Sequence, residues 1–102
     1  MEITYNKDRS VLTMYFIGEL DESVANTARQ TMEAIIYSNS FKTLVLDLKN
    51  LNFMDSTGIG VIIGRYKQLK ARNISAYVVN VTSNIDKIFR ISGLYDILPL
   101  LD

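Results

Sequence analysis

The stretch NFMDSTGIGVIIGRYKQLK, from Asn52 to Lys70, joins an apolar segment to a helical pattern. An acid, two hydroxyl side chains and a glycine stand at the junction, as Asp55, Ser56, Thr57 and Gly58. Either Asp55 or Ser56 is predicted to be the N-cap, because such side chains accept hydrogen bonds from the N–H groups of the first turn. Those N–H groups and the positive end of the helix dipole also suit a phosphate.

The helix that follows carries glycine where glycine weakens a helix. Its apolar stripe is expected to face a sheet and consists of Ile59, Ile62, Ile63, Tyr66 and Leu69. Gly60 and Gly64 lie on a different face, and together they cost about 2 kcal/mol relative to alanine. Two explanations remain open: drift or close packing against a neighbouring segment, or an exposed bare strip that lets another protein approach.

Strand patterns and helix patterns alternate along the rest of the chain. Two strands joined by the turn KDRS are expected to form an antiparallel pair, and the later strands to lie parallel. The strands are predicted at Glu2–Asn6, Val11–Ile17, Leu44–Leu48, Ser75–Val81 and Ile97–Leu101.

Two further helices are placed by their terminal residues. Asp21 is predicted to be the N-cap of a helix that ends at YSNS. Ser83 is predicted to cap a shorter helix, with Asp86 completing a capping box and Gly93 ending it. The resulting order β-β-α-β-α-β-α-β indicates one α/β domain over residues 1–102, with a mixed sheet and helices packed on it.

Composition excludes several classes of function. Lys and Arg total 11, as do Asp and Glu, so net charge gives no reason to expect nucleic acid or an anionic membrane as partner. The absence of cysteine and histidine excludes a Ser-His-Asp triad and a cysteine nucleophile. No signal-peptide pattern and no apolar run of membrane-spanning length is visible, so a small soluble cytoplasmic protein is expected.

Three motif-based alternatives fit the junction poorly. The spacing G-x-G-x-x-x-G differs from the dinucleotide fingerprint, and no P-loop lysine follows. Lys67 and Lys70 lie three to four helical turns from Ser56, too far for a Ser–Lys hydrolase. A receiver domain would need an acidic pair after its first strand and a lysine near its last, and neither is present.

Three blocks in the right order carry a family resemblance: GELD at Gly18–Asp21, FMDSTGIGVIIGRYKQLK at Phe53–Lys70 and ISGLYDIL at Ile91–Leu98. With these blocks the chain resembles an anti-sigma factor antagonist of the STAS-domain family. The GRYKQ portion is most similar to the sporulation branch that acts on the anti-sigma-F kinase. The DSTG form, with Thr57, is closer to the general-stress branch. Such antagonists usually carry a further C-terminal helix after the position that corresponds to Asp102.

The resemblance implies a phosphorylation cycle in which this chain is the substrate and not an enzyme. The unphosphorylated form binds an anti-sigma factor that is also a serine kinase, and so releases a sigma factor. The kinase phosphorylates Ser56, the phosphorylated form dissociates, and a PP2C-type phosphatase resets it. No cofactor is expected on this chain, because ATP and magnesium belong to the kinase, and neither direct nucleic-acid nor membrane binding is expected.

The partner-binding surface is expected to surround the acceptor serine. Its predicted members are Asp21, Asp55, Thr57, Gly58, Ile59, Gly60 and Gly64. A second class of function remains open beside this one. It is a stand-alone STAS module that binds a small ligand or assembles into a larger signalling complex without a phosphorylation cycle.

Overall fold

Strands and helices alternate after an initial hairpin in the computed structural model, which describes residues 1–101. The strands are β1 (Glu2–Asp8), β2 (Val11–Leu20), β3 (Thr43–Met54) and β4 (Ser75–Val79). The helices are α1 (Ala25–Tyr37), α2 (Ser56–Ala71) and α3 (Ser83–Ser92), followed by a 3-10 turn at Leu94–Asp96. None of the helices in this part of the chain is long and apolar enough to cross a membrane.

The sheet has the mixed topology predicted from the sequence. Its strand order is β1-β2-β3-β4, with β1 antiparallel to β2 and the other neighbours parallel. Arg9, in the hairpin turn, has a φ of 57°, a left-handed value that tightens the reversal between the two strands. The α/β fold with an N-terminal antiparallel hairpin and helices packed on the sheet is confirmed.

Buried and half-buried side chains alternate along β2. Leu12, Met14 and Phe16 are buried, whereas Thr13 and Tyr15 between them are only half-buried. Because successive side chains of a strand point to opposite faces, one face of β2 lies in the core. Every helix contributes to the same apolar cluster, which includes Met32 and Ile36, Leu46, Ile62, Val78 and Phe89.

β3 is much longer than predicted, since it continues past Leu48 to Met54. Its register with β2 shifts between Tyr15 and Ile17 and again between Gly18 and Glu19. Such irregularities place extra residues on one strand and interrupt the alternation of buried and exposed side chains. The prediction ended the strand where its simple apolar run ended, and it was wrong by six residues.

The predicted last strand at Ile97–Leu101 is also wrong. This segment makes only an isolated parallel bridge between Leu100 and Val78. The N–H of Val78 donates to the carbonyl of Pro99 at 3.0 Å, and the N–H of Leu101 donates to the carbonyl of Val78 at 2.8 Å. Pro99 has no N–H with which to extend the ladder, so the pairing stops at this bridge.

Two predicted helix caps have other roles in the structure. The N-cap of α1 is Val24, while Asp21 lies one turn earlier and accepts hydrogen bonds from Ser23. The N-cap of α3 is Thr82, without a side-chain hydrogen bond, so the capping box of Ser83 and Asp86 is absent at this helix start. Asp21 is engaged by Ser23 within its own turn, a common competition for aspartate near helix starts, and Asp86 is engaged by the side chains of Arg90 and Tyr95. Gly93 does end α3, with the left-handed φ of 77° expected of a helix stop.

The buried face of α2 is rotated from the predicted stripe. Gly58, Val61, Ile62, Arg65 and Leu69 are buried, whereas Ile59, Ile63 and Tyr66 are half-buried. Arg65 is only 8% exposed and forms an ion pair with Glu33 of α1. Sequence periodicity assigns an arginine to solvent, and its partner 32 residues away is not visible in the local pattern.

Candidate functional site

Asp55 sits at the join between β3 and α2 and is the N-cap of α2. Its carboxylate oxygen Oδ1 accepts a hydrogen bond from the backbone N–H of Gly58 at 3.0 Å. Its other oxygen, Oδ2, accepts one from the backbone N–H of Glu22 at 3.2 Å. Of the two residues proposed for this cap, the structure therefore selects Asp55, and it adds a contact to the loop before α1.

That loop is a tight turn from Asp21 to Val24. Oδ1 of Asp21 accepts from the N–H of Ser23 at 3.0 Å and from its hydroxyl at 2.6 Å. The Ser23 hydroxyl, with smaller contributions from backbone N–H groups, holds the pKa of Asp21 below its ordinary value. The predicted partner residue Asp21 is thus ionised at neutral pH. An open depression lies between the turn and the end of β3, lined by Asp21, Glu22, Ser23, Phe53 and Asp55.

Ser56 and Thr57 occupy the first two positions of α2, and both are exposed. The N–H of Gly58 is used by the Asp55 side chain, and the N–H of Ile59 donates to the Asp55 carbonyl at 3.0 Å. The N–H groups of Ser56 and Thr57 have no partner within the helix, as is general for a first turn. An exposed hydroxyl therefore stands where the helix dipole favours negative charge.

Gly58 is enclosed by the end of β2. A Cβ at this position would lie 2.5 Å from the carbonyl oxygen of Leu20 and 2.8 Å from Cγ of Met54. Only glycine lets α2 start this close to the strand, since carbon and oxygen atoms do not approach to 2.5 Å without a bond. Gly58 supports the site from within, and a direct contact between it and a partner stays a prediction.

Gly60 and Gly64, in contrast to Gly58, have open space around them. Apart from the two adjacent residues and the nearby backbone of the helix itself, no atom of residues 1–101 lies within 4 Å of the position of a Cβ at either glycine. Close packing within the described chain is therefore not the reason for these glycines. They form a bare strip on α2, beside half-buried Ile59 and next along the helix from the exposed hydroxyls.

A known protein-family model matches almost the whole of this sequence, including the residues of the site. The model of the STAS domain matches residues 2–102. The chain belongs to the STAS-domain family. The family model accounts for the whole motif-bearing part of the sequence, and the resemblance drawn from its three sequence blocks is confirmed.

Several STAS-domain relatives are named as antagonists. The chain is 36% identical over 102 residues to an anti-sigma F factor antagonist of Paenibacillus polymyxa, a match that covers all of this chain and 87% of the relative. It is 34% identical over 87 residues to an anti-sigma-B factor antagonist of Staphylococcus aureus, covering 85% of this chain and 72% of the relative. The solved structure of the Bacillus cell fate determinant SpoIIAA in its phosphorylated form shares the fold, with a TM-score of 0.72 at 24% identity over 99% of this chain and 92% of that one.

Asp55 organises the site of this STAS domain. Each oxygen of its carboxylate accepts one backbone hydrogen bond, so the group is held between the turn before α1 and the first turn of α2. The site therefore combines a fixed carboxylate, the exposed Ser56 hydroxyl and a helix terminus at which an anion is stable.

Sequence reasoning predicted Asp21 in the loop but missed two other members of the site. The backbone N–H of Glu22 and the side chain of Phe53, which is 45% exposed, were not among the predicted residues. A backbone donor leaves no signature in residue type. Phe53 would be expected to point inward, and it is exposed because the register of β3 shifts just before it.

Proposed function

We propose that this STAS domain is an anti-sigma factor antagonist switched by phosphorylation on Ser56. Its unphosphorylated form binds an anti-sigma factor that is also a serine kinase, and this binding releases a sigma factor. The observation that carries the proposal is the exposed hydroxyl of Ser56 at the first position of α2, beside its cap Asp55. The names of the relatives support the assignment of the partner class.

The proposed partner surface extends from this hydroxyl in two directions. On one side lies the turn that carries ionised Asp21, joined to Asp55 through the N–H of Glu22. On the other side lies the bare strip of Gly60 and Gly64, where a partner can approach the helix backbone. Thr57 and Ile59 complete the surface between them.

The cycle needs other proteins for its chemistry. The kinase supplies ATP and magnesium, and the hydroxyl oxygen of Ser56 attacks the γ-phosphorus while ADP leaves. The product carries about −1.5 to −2 charges on this residue at pH 7. A PP2C-type phosphatase then hydrolyses the phosphate ester and restores the binding form.

The test is phosphorylation by the anti-sigma factor kinase of the same organism with ATP and magnesium. Intact-mass measurement is expected to show one added phosphate, and peptide mapping to place it on Ser56. Ser56→Ala is expected to abolish the reaction. Thr57→Ala is its matched control, since it removes the neighbouring hydroxyl and is expected to leave the phosphorylation in place.

Two outcomes would contradict the proposal. A phosphate mapped to Thr57 in the wild-type protein would show that Thr57, and not Ser56, is the acceptor. Ser56 is expected because Thr57 is β-branched and its side chain is therefore the stiffer of the two. A wild-type protein that binds the anti-sigma factor without being phosphorylated would favour a STAS module that assembles into a complex without a phosphorylation cycle.

A further inference from the structure

The Asp55 carboxylate joins two segments that are far apart in sequence. Its Oδ2 holds the N–H of Glu22, 33 residues earlier, and its Oδ1 holds the N–H of Gly58 in its own helix. One side chain therefore connects the Asp21–Val24 turn with the first turn of α2. We call this pair of hydrogen bonds the Asp55 bridge.

The turn is otherwise built from local contacts. Asp21 binds Ser23 through its side chain, and the N–H of Val24 donates to the carbonyl of Asp21 at 3.2 Å. These bonds shape the turn but do not fix its orientation relative to α2. Besides the Asp55 bridge, the turn is tied to this region through Leu20, which pairs with Met54 in the sheet and whose carbonyl accepts a longer hydrogen bond, at 3.4 Å, from the N–H of Asp55.

We propose that Asp55 is a positioning residue for the phosphorylation of Ser56. The Asp55 bridge holds the turn that carries Asp21 at a fixed place beside Ser56, so that one kinase surface engages both. This inference rests on the proposed function, which it deepens. Asp55 acts through the arrangement of the turn and makes no contact with the transferred phosphoryl group.

The role requires two acceptor oxygens on one side chain, which aspartate provides. Asparagine and serine are equally good N-caps, but each offers only one oxygen to N–H donors. Asp55→Asn can keep the bond to Gly58, but its amide nitrogen cannot accept from Glu22. Asp55→Ser is too short to reach both donors. These substitutions therefore separate helix capping from the bridge.

The experiment combines kinetics with amide hydrogen exchange, using the full chain and the kinase of the same organism. In Asp55→Asn and Asp55→Ser, the amide of Glu22 is expected to exchange faster while the amide of Gly58 stays protected. The KM for phosphorylation is expected to rise about ten- to a hundredfold, the size of effect that follows from losing one hydrogen bond to a charged group. The kcat is expected to stay near the wild-type value, because Ser56 itself is unchanged.

Asn39→Ala provides the matched control. It removes a side-chain hydrogen bond at the end of α1, from Nδ2 of Asn39 to the carbonyl of Ile35 at 2.7 Å. This variant loses a comparable helix-end contact away from the site, and its KM is expected to equal that of the wild type. A KM that rises equally in Asn39→Ala would assign the effect to stability and overturn the proposal.

Two further results would also overturn it. One is faster exchange at Glu22 with an unchanged KM, and the other is unchanged exchange at Glu22 in both variants. Failure of the proposed function would look different, because the wild-type protein itself would not be phosphorylated. In that case the Kd for the anti-sigma factor, measured without ATP, replaces KM and tests the positioning role with the same variants.

Discussion

The start of α2 and the cluster of Asp86, Arg90 and Tyr95 at α3 each combine an acid with a hydroxyl, but for opposite purposes. At α3, Asp86 accepts hydrogen bonds from the hydroxyl of Tyr95 at 2.6 Å and from Nε of Arg90 at 2.9 Å. At α2, Asp55 accepts from two backbone N–H groups instead, and its neighbour Ser56 is left exposed. An acid and a hydroxyl lie close together in both regions, but only at α3 does the hydroxyl bind the acid.

The difference shows what makes a hydroxyl available for modification. The Tyr95 hydroxyl ties the 3-10 turn to α3, and its ring packs against Phe89 at an angle of 46°, with centroids 5.1 Å apart. Its reaction would break contacts within the fold. The hydroxyl at the start of α2 stands beside a helix terminus already held by backbone hydrogen bonds, so a phosphate can be added there without removing the cap.

The largest expected effect tests whether phosphorylation at the start of α2 changes binding to the kinase while the fold stays the same. Phosphorylation of Ser56 is expected to weaken binding to the kinase at least a hundredfold. An uncompensated charge buried in a contact costs several kcal/mol, and about 3 kcal/mol already lowers the affinity more than a hundredfold. Folding stability is expected to change by less than about 1 kcal/mol, because the favourable dipole and the repulsion from Asp55 oppose each other. Calorimetric titration under matched nucleotide conditions and thermal melting measure the two quantities.

Circular dichroism supplies the control for this prediction. The phosphorylated and unphosphorylated proteins are expected to have the same spectrum and melting temperatures within about 4–8 °C. A large melting shift or loss of the native spectrum would mean that the switch works by unfolding. The two helix regions would then not differ in the way proposed.

A second test compares Gly58, which is enclosed by neighbouring atoms, with Gly64, which has open space around it. Gly58→Ala is expected to destabilise the fold by about 1–3 kcal/mol, because its Cβ would push against the carbonyl of Leu20. Gly64→Ala is the matched control, and it is expected to stabilise the helix by up to about 1 kcal/mol since alanine is the better helix former and the site is open. Urea unfolding measures both. Changes of the same sign at the two glycines would contradict the assignment of one as closed and the other as open.

The bare strip is tested by a larger side chain. Gly64→Leu is expected to keep the fold, with stability equal to wild type or up to about 1 kcal/mol higher, and to weaken binding to the kinase. A leucine placed there stands between the helix backbone and anything that approaches it. If the variant melts far below the wild type, the strip packs internally and the interface role of Gly64 is refuted.

The sequence predicted those parts of the site that local patterns encode. A cap at Asp55 or Ser56 and a glycine stop at Gly93 follow from residue type and position, and the structure has the cap at Asp55 and the stop at Gly93. The buried position of Arg65 depends on Glu33 in another helix, and the exposure of Phe53 depends on a register shift in β3. Neither feature has a local pattern, because each is fixed by a partner that is distant in sequence.

The smallest expected effect concerns the cluster of Asp86, Arg90 and Tyr95 at α3, whose contribution to folding stability is expected to depend on pH. Burial, and next the hydrogen bond to Asp86, raise the pKa of Tyr95 to about 12 from 10.0. A pKa raised by folding means that the folded state favours the protonated form, so this stabilisation is complete below about pH 10 and is lost as the pH rises through about 12. The Tyr95 hydroxyl and Arg90 also lower the pKa of Asp86, and the contribution of this group is lost in acid as the pH falls through the lowered value. In Tyr95→Phe, the free energy of unfolding is therefore expected to fall less steeply at both extremes of pH than in the wild type. Urea unfolding of the two proteins across the pH range measures this difference, and titration of the other tyrosines and lysines cancels in the comparison. Parallel curves would show that the Tyr95–Asp86 bond contributes nothing, and that the α3 region is as free to change as the start of α2.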